Sequence, residues 1–196
     1  TRKDEHQMMI RQLNRLSEYL ECLPITMMTM DNIEADDVIG YSSKHIFNDK
    51  CTIMSTDKDF LQLVDDRIQV YSPTKKLMYD EERILNEYGI NATNFLLYRM
   101  LDGDKSDGIP GVKGAGLKTL LKVFPWLESP HKYSIEDLIK SATPKMKQYK
   151  LCTDIVNSEK QLLLNKKLMD LDEYGEDNTS MEEMLDSFGI KLGDKK

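Results

Sequence analysis

CTIMSTDKDFLQLVDDRIQVYSP, residues 51–73, holds two short β-like runs, CTIMST and IQVYSP, on either side of KDFLQLV, whose apolar spacing suits one or two helical turns. β-Branched and aromatic residues fit a pleated surface, and a helical link lets the second strand return parallel to the first. Upstream, EADDVIGYSSKHIF has helical spacing through Val38, Ile39 and Ile46, and LPITMMTMD before it is apolar and rich in Met and Thr, as a buried strand would be. Strand, helix, strand, helix, strand in that order predicts an α/β fold with a largely parallel sheet. Met27, Met28 and Met30 then belong to the core of the first strand rather than to redox or metal chemistry.

Around this centre the pattern is helical. Residues 4–22 place Met8, Met9, Leu13, Leu16 and Leu20 at helical spacing and stop before Pro24. After residue 80 come DEERILNEYG, ending at Gly89, then NATNFLLYRML, then AGLKTLLKVF, stopped by Pro125. Further helices are expected over 134–141, 145–167 and 179–188, with a frayed end at KLGDKK. The organisation expected is an α/β core over 1–90, a helical region over 91–170 and a tail helix within 171–196.

With 196 residues, 40% hydrophobic and 31% charged, the chain can bury a core, and no apolar run is long enough to cross a bilayer as a helix. Cys22, Cys51 and Cys152 are odd in number and widely spaced, which argues against a disulfide framework or a thiolate zinc site and points to a reducing, cytoplasmic setting. The chain opens on Thr1 in charged, helix-like sequence, as a fragment would. The net charge of −7 hides a polarity: from Lys113 to Lys167, 11 lysines face 5 acids, whereas acids dominate before and after. Such a basic flank suits a polyanion, while cations would neutralise the acidic side.

Acids recur at element boundaries. Glu34, Asp36 and Asp37 follow the Met-rich run, Asp57 and Asp59 follow CTIMST, and Asp104 and Asp107 follow NATNFLLYRML. Each cluster alone could cap a helix or shape a turn. Their recurrence, and the first two clusters' placement where strand ends gather in a parallel sheet, favour a shared site. Oxygen donors with no His or Cys among them point to Mg²⁺ or Mn²⁺ rather than zinc. Two such ions held by carboxylates are the usual means of hydrolysing a phosphodiester.

LDGDKSDGIPGVKGAGLKT, residues 101–119, runs from the last acids into a glycine-rich turn. Gly111, Gly114 and Gly116 are expected to adopt backbone geometries closed to other residues, and the helix after them offers free N–H groups to a phosphate. A nucleotide-binding P-loop needs GxxxxGK(S/T), but Leu117 separates Gly116 from Lys118. The spacing suits a helix-hairpin-helix contact with a DNA backbone.

Taken together, IEADDVIG, STDKDFLQLV and GDKSDGIPGVKGAGLKT resemble successive motifs of the 5′ nuclease superfamily, which includes flap endonucleases, the 5′ nuclease domain of bacterial DNA polymerase I, and phage 5′ exonucleases with RNase H activity. The resemblance runs in order from about residue 4 to about residue 170 and implies a PIN-like core with a helix-three-turn-helix DNA-binding region. It implies that Glu34, Asp36 and Asp37 serve a first metal ion, and that Asp57, Asp59, Asp104 and Asp107 serve mainly a second. Asp36, Asp57, Asp59 and Asp104 are expected to be catalytic. Gly111, Gly114, Gly116, Lys118 and Thr119 match the segment that grips the duplex, often with K⁺, and Lys113 and Lys122 are added as nearby phosphate contacts.

The implied substrates are flapped, nicked or branched duplex DNA, or an RNA–DNA hybrid. The family's first strand, with its aspartate ligand, and its basic arch have no counterpart here. TRKDEHQMM reads as the exit from that arch, so a separate chain could supply the rest. The competing reading is a catalytically silent module that grips duplex DNA through the glycine turn. His6, His45 and His131 are isolated and carry no chemistry, and Trp126 reads as a packing anchor.

Overall fold

The computed structural model describes residues 2–28 and 33–172. The chain divides into two compact units, Thr1–Ala35 and Asp36–Lys196. In the first, α1 (Arg2–Leu20) forms as its apolar spacing predicts, with Asp4 and Glu5 in its first turn, where acids complement the helix dipole. Met8, Leu13 and Leu16 are each at least half exposed along it. No strand forms over residues 25–28, and the rest of the expected strand, Met30 included, lies outside the described residues. Met27 is 37% exposed, so its expected place in the core is not observed.

The second unit builds its sheet from the stretch that opened the sequence analysis. β1 (Cys51–Met54) pairs in parallel with β2 (Ile68–Ser72), Ile53 opposite Val70. A 3₁₀ turn, Asp59–Leu63, carries the chain between them and buries Phe60, Leu61 and Leu63. The sequence did not suggest β3 (Leu77–Tyr79), which folds back antiparallel on β2 and makes the sheet mixed, in the order β1-β2-β3. Lys76, at the end of that hairpin turn, takes a left-handed φ of 54°.

Asp65 fixes the entry to β2. Its carboxylate accepts hydrogen bonds from the N–H groups of Arg67 (2.9 Å) and Ile68 (2.7 Å) and from Lys44 Nζ (2.9 Å). Lys44 lies on a π-helical turn, Ser42–Ile46, that continues α2 (Ala35–Tyr41). Arg67 donates in turn to the Ser43 carbonyl at 2.8 Å, so two side chains tie this helix to the sheet.

The helices that follow pack as one core with the sheet. α3 (Glu81–Tyr88) is capped by Asp80 and closed by left-handed Gly89, and α4 (Phe95–Asp102) is buried along almost all its length. α5 (Leu117–Val123) ends at Phe124 before Pro125, and α6 (Ile135–Ala142) opens with a capping box between Ser134 and Asp137. The helix expected over 145–167 is two helices, α7 (Lys150–Asn157) and α8 (Glu159–Met169), divided at Ser158. Residues 179–188 lie outside the described residues. Trp126 is the expected anchor: its ring packs on Phe124 and Tyr133, and its Nε1 donates to Ser141 Oγ at 3.2 Å.

Two buried asparagines hold the loops. Asn94 donates to the carbonyls of Ser129 (2.9 Å) and His131 (3.0 Å) and accepts from Tyr133 N–H (3.0 Å). Asn165, on α8, donates to the carbonyls of Met100 and Pro110, both at 2.9 Å, and so fastens the end of α4 and the loop after it to α8.

Candidate metal and nucleic-acid site

Two loops of the second unit bring acids together. The first leaves β1. There Ser55 Oγ accepts from Asp57 N–H (3.1 Å) and Asp57 Oδ1 accepts from Asp59 N–H (2.9 Å), so Asp57 shapes the turn that presents Asp59. Gln62 adds a tether, donating to the Asp59 carbonyl (2.8 Å) and to the Met169 carbonyl at the end of α8 (2.9 Å). The second loop leaves α4. Asp104 and Ile109 exchange both backbone hydrogen bonds, at 2.9 and 2.7 Å, and left-handed Gly108 lets the intervening turn close. Within it Asp104 Oδ1 accepts from the N–H and the hydroxyl of Ser106, and from Asp107 N–H at 3.4 Å.

The residue that joins the two loops is one the sequence reading passed over. Arg99, on α4, has a side chain only 6% exposed, and its Nε donates to Asp59 Oδ1 while its Nη2 donates to Asp104 Oδ2 at 2.7 Å. Its Nη1 reaches the Gly103 carbonyl at 3.3 Å and lies 3.6 Å from Asp102 Oδ2. A planar guanidinium with donors on separate nitrogens can fork between two carboxylates as an ammonium cannot. The available signal was a lone base within an otherwise apolar helix, FLLYRMLD.

The electrostatics follow from this sharing. Burial pushes the Asp59 carboxyl above its ordinary range, more than the Arg99 hydrogen bond and charge pull it down. Asp104 is held at about 2, first by the Ser106 hydroxyl and then, against some burial, by backbone N–H groups and Arg99. Burial works against the Arg99 charge, but Asp59 and Asp104 outweigh it and raise its pKa. Three carboxylates thus share one guanidinium, and negative charge remains for a further cation to neutralise. Oxygen donors with residual negative charge fit a hard divalent ion.

The expected convergence of all three acidic clusters is not seen as a cage. Among the described residues no three His, Cys, Asp or Glu side chains group closely enough to hold a metal ion. Asp59 and Asp104 meet through Arg99, Asp57 supports Asp59, and Asp107 is exposed at the rim. Asp36 and Asp37 occupy the first turn of α2, half-buried, and Glu34 lies exposed just before that helix.

The glycine turn joins α4 to α5 as a helix–turn–helix, and its glycines have different reasons. Of the three expected to need unusual backbone, only Gly114 has it, with φ +83°. Gly111 is required by contact, since a Cβ there would lie 2.1 Å from the Asp102 carbonyl oxygen. Gly116 has an ordinary φ of −64° and open space where a Cβ would stand, so the fold places no demand for glycine there. Thr119 and Leu120 N–H close on the Gly116 carbonyl, leaving those of Leu117 and Lys118 without an intrahelical acceptor. Lys113, Lys118, Thr119 and Lys122 are all exposed around it.

Residues 1–89 match the model of the 5′-3′ exonuclease N-terminal resolvase-like domain. A 5′-3′ exonuclease of Buchnera aphidicola from Acyrthosiphon pisum is 34% identical over 166 residues, covering 82% of this chain and 57% of that protein. The chain therefore spans little more than half the length of this relative. Among solved structures, a bacteriophage T5 flap endonuclease in a pseudo-enzyme-product complex with DNA and metal ions superposes with a TM-score of 0.77 at 24% identity, over 95% of this chain and 68% of that one. The T5 5′-exonuclease with bound zinc gives 0.74 at 25% identity, over 94% and 69%. The motifs in order, the mixed α/β core with its helix–turn–helix, the exonuclease-type domain match and the T5-like fold all point the same way, and this chain is similar to proteins of the 5′ nuclease superfamily.

Proposed function

We propose that the chain is a metal-dependent 5′ nuclease that hydrolyses phosphodiesters of flapped, nicked or branched duplex DNA, or of RNA on DNA, at the 5′ end of a strand. The observation that carries this is the Arg99 junction, which holds carboxylates from two loops side by side with negative charge left over. Region 1–90 would supply part of the acidic site, and 91–170 would supply its remaining acids, Asp104 and Asp107, together with the grip on the duplex. Asp57, Asp59, Asp104 and Asp107 would hold one Mg²⁺ or Mn²⁺ ion, and the motif containing Glu34, Asp36 and Asp37 would serve the other. Such ions, when bound, lower the pKa of an attacking water and steady the leaving oxygen.

The remaining roles belong to the chain itself. Arg99 keeps Asp59 and Asp104 in register across two loops, and Ser106 holds Asp104 ionised. The open surface over Gly114 and Gly116, with Lys113, Lys118, Thr119 and Lys122 around it, suits close approach of a phosphate backbone, with K⁺ as a possible bridge.

Cleavage of a 5′-labelled flap substrate in Mg²⁺ tests the reading, with EDTA and Asp57→Ala as controls and binding in Ca²⁺ alongside. A short 5′ product that needs both Mg²⁺ and the intact aspartate is expected. Binding in Ca²⁺ without any cleavage would reduce the reading to a DNA grip, and absence of both would overturn it.

A further inference from the structure

A cleft of about 40 Å³ opens at the carboxyl ends of β1 and β2, on the loop that carries Asp57. Ligands of parallel sheets gather at such strand ends. Leu61 and Val70 give the cleft an apolar part, and Thr56, Lys58, Ser72, Lys75, Tyr79 and Tyr88 add hydroxyls and two ammonium groups.

These groups have donors to spare. Tyr88 is only 8% exposed, yet its hydroxyl has no hydrogen-bond partner among the described residues. Burial pushes its pKa up to about 12, so at neutral pH it is a donor. Lys58 Nζ likewise has no partner among the described residues. Ser72 is buried, and its hydroxyl meets only Thr74 Oγ1, at 3.4 Å. Lys75 Nζ donates to the Tyr79 hydroxyl at 2.7 Å and to Glu87 Oε1 at 3.2 Å, which fixes the ammonium at the cleft and leaves its third N–H for a ligand.

The occupant follows from the donors and the room. An ammonium can only donate, so what enters must present acceptors, and a cation is excluded. At about 10–15 Å³ per water the cleft holds roughly three, which is the size of one tetrahedral oxyanion and too little for a base or a sugar. Asp57 is the acid on the lining, and its Oδ1 already accepts from Asp59 N–H, while Glu87 offsets part of the Lys75 charge. A phosphate monoester, close to a dianion at neutral pH, answers two ammonium groups better than a singly charged diester does. A floor of buried Tyr79 and Tyr88 also admits the end of a chain more readily than its middle.

We propose that this cleft is a subsite for the terminal 5′ phosphate of the strand being cut, held by Lys58 and Lys75 and by the Tyr88 and Ser72 hydroxyls. That choice of ligand rests on the nuclease reading, whereas the affinity of the cleft for a phosphate dianion does not. A nick places its 5′ phosphate beside the first bond to be cut, and a long flap carries it away, so the subsite favours phosphorylated nicks.

Nicked duplexes that differ only in a 5′ phosphate or a 5′ hydroxyl test this with the full chain in Mg²⁺. The phosphorylated nick is expected to have a KM about tenfold lower, the size of one hydrogen bond to a charged group, with kcat nearly equal. Tyr88→Phe removes only an unpartnered hydroxyl, so its melting temperature should match the parent while the preference falls several-fold, and Lys58→Ala should lower the preference too. Titration with inorganic phosphate needs no cleavage, and the amide NMR signals of residues 55–58 and 72–75 should shift saturably, less tightly in Tyr88→Phe. Equal KM for the two nicks in a chain that cuts them would overturn the proposal. If neither nick is cut, the nuclease reading fails and the phosphate titration decides: a saturable shift weakened by Tyr88→Phe supports the cleft as a phosphate site, and no saturable shift overturns it.

Discussion

Arg99 is nearly enclosed, and its guanidinium is the only positive charge that the structure places against both Asp59 and Asp104 among the described residues. Arg99→Ala leaves two largely buried carboxylates facing one another, a change that costs about 3–5 kcal/mol where a buried pair loses one partner. Arg99→Lys keeps a charge but gives up the fork, and about 1–2 kcal/mol is expected for the lost hydrogen bond. Urea unfolding of the parent and both variants measures this. An Arg99→Ala curve within about 0.5 kcal/mol of the parent would place the junction among surface ion pairs of little worth. The carboxylates were legible in the sequence because their spacing and boundary positions are local. Arg99 was not, because its partners lie 40 residues upstream and 5 downstream. Asn165 was hidden in the same way, 65 residues from the Met100 carbonyl it satisfies.

Elements were legible where their signal was local and strong. β1, the 3₁₀ turn and β2 each follow from their own residues, whereas β3 has three residues and an outward Met78, too little for any pattern to announce. The break at Ser158 was masked because apolar spacing continues through it from Ile155 to Leu162. The turn between α4 and α5 allows a sharper test. Gly111→Ala forces a Cβ against backbone at 2.1 Å, and a cost of about 3 kcal/mol is expected from such overpacking. Gly116→Ala meets open space at an ordinary φ, so its effect on stability should stay within about 0.5 kcal/mol. Under the proposed function, that same change should weaken duplex binding several-fold, measured by anisotropy in Ca²⁺. Unchanged binding by a stable Gly116→Ala would remove this turn from the DNA surface.

At the junction of α2 with the sheet, pH is the probe. Burial pushes the Asp65 carboxyl up, but the Lys44 hydrogen bond and the Arg67 and Ile68 N–H groups outweigh it and hold its pKa below the ordinary value of 3.8. A carboxyl depressed by folding adds stability above its unfolded pKa and loses it as pH falls through the folded value. Asp65→Asn should therefore cost about 1 kcal/mol near neutral pH, since the carboxylate is partly solvated. That difference should shrink steadily below pH 3.8. Thermal melts of both proteins from pH 7 to pH 2.5 give the comparison, and a difference that stays constant over that range would assign the cost to packing instead.

For the whole molecule the question is how a chain of net charge −7 could hold a polyanion. Net charge governs solubility and long-range repulsion, but a duplex senses the surface within about a Debye length, roughly 8 Å at physiological salt. The 11 lysines between Lys113 and Lys167 lie among the helices that follow the acidic loops, so attraction and repulsion fall on different stretches of one chain. If four to six of them neutralise phosphates, log affinity should fall against log salt with a slope of about −4 to −5. Binding would then weaken by about 10² to 10³ between 50 and 200 mM salt. Lys118→Glu should lower affinity at every salt concentration and make the slope shallower by about 1 to 2, because a contact is both lost and reversed. Asp57→Ala should leave the slope unchanged, since that aspartate neutralises no phosphate. A flat salt response in the parent would mean that the duplex is held elsewhere, and the open glycine turn with its lysines would then need another ligand to explain it.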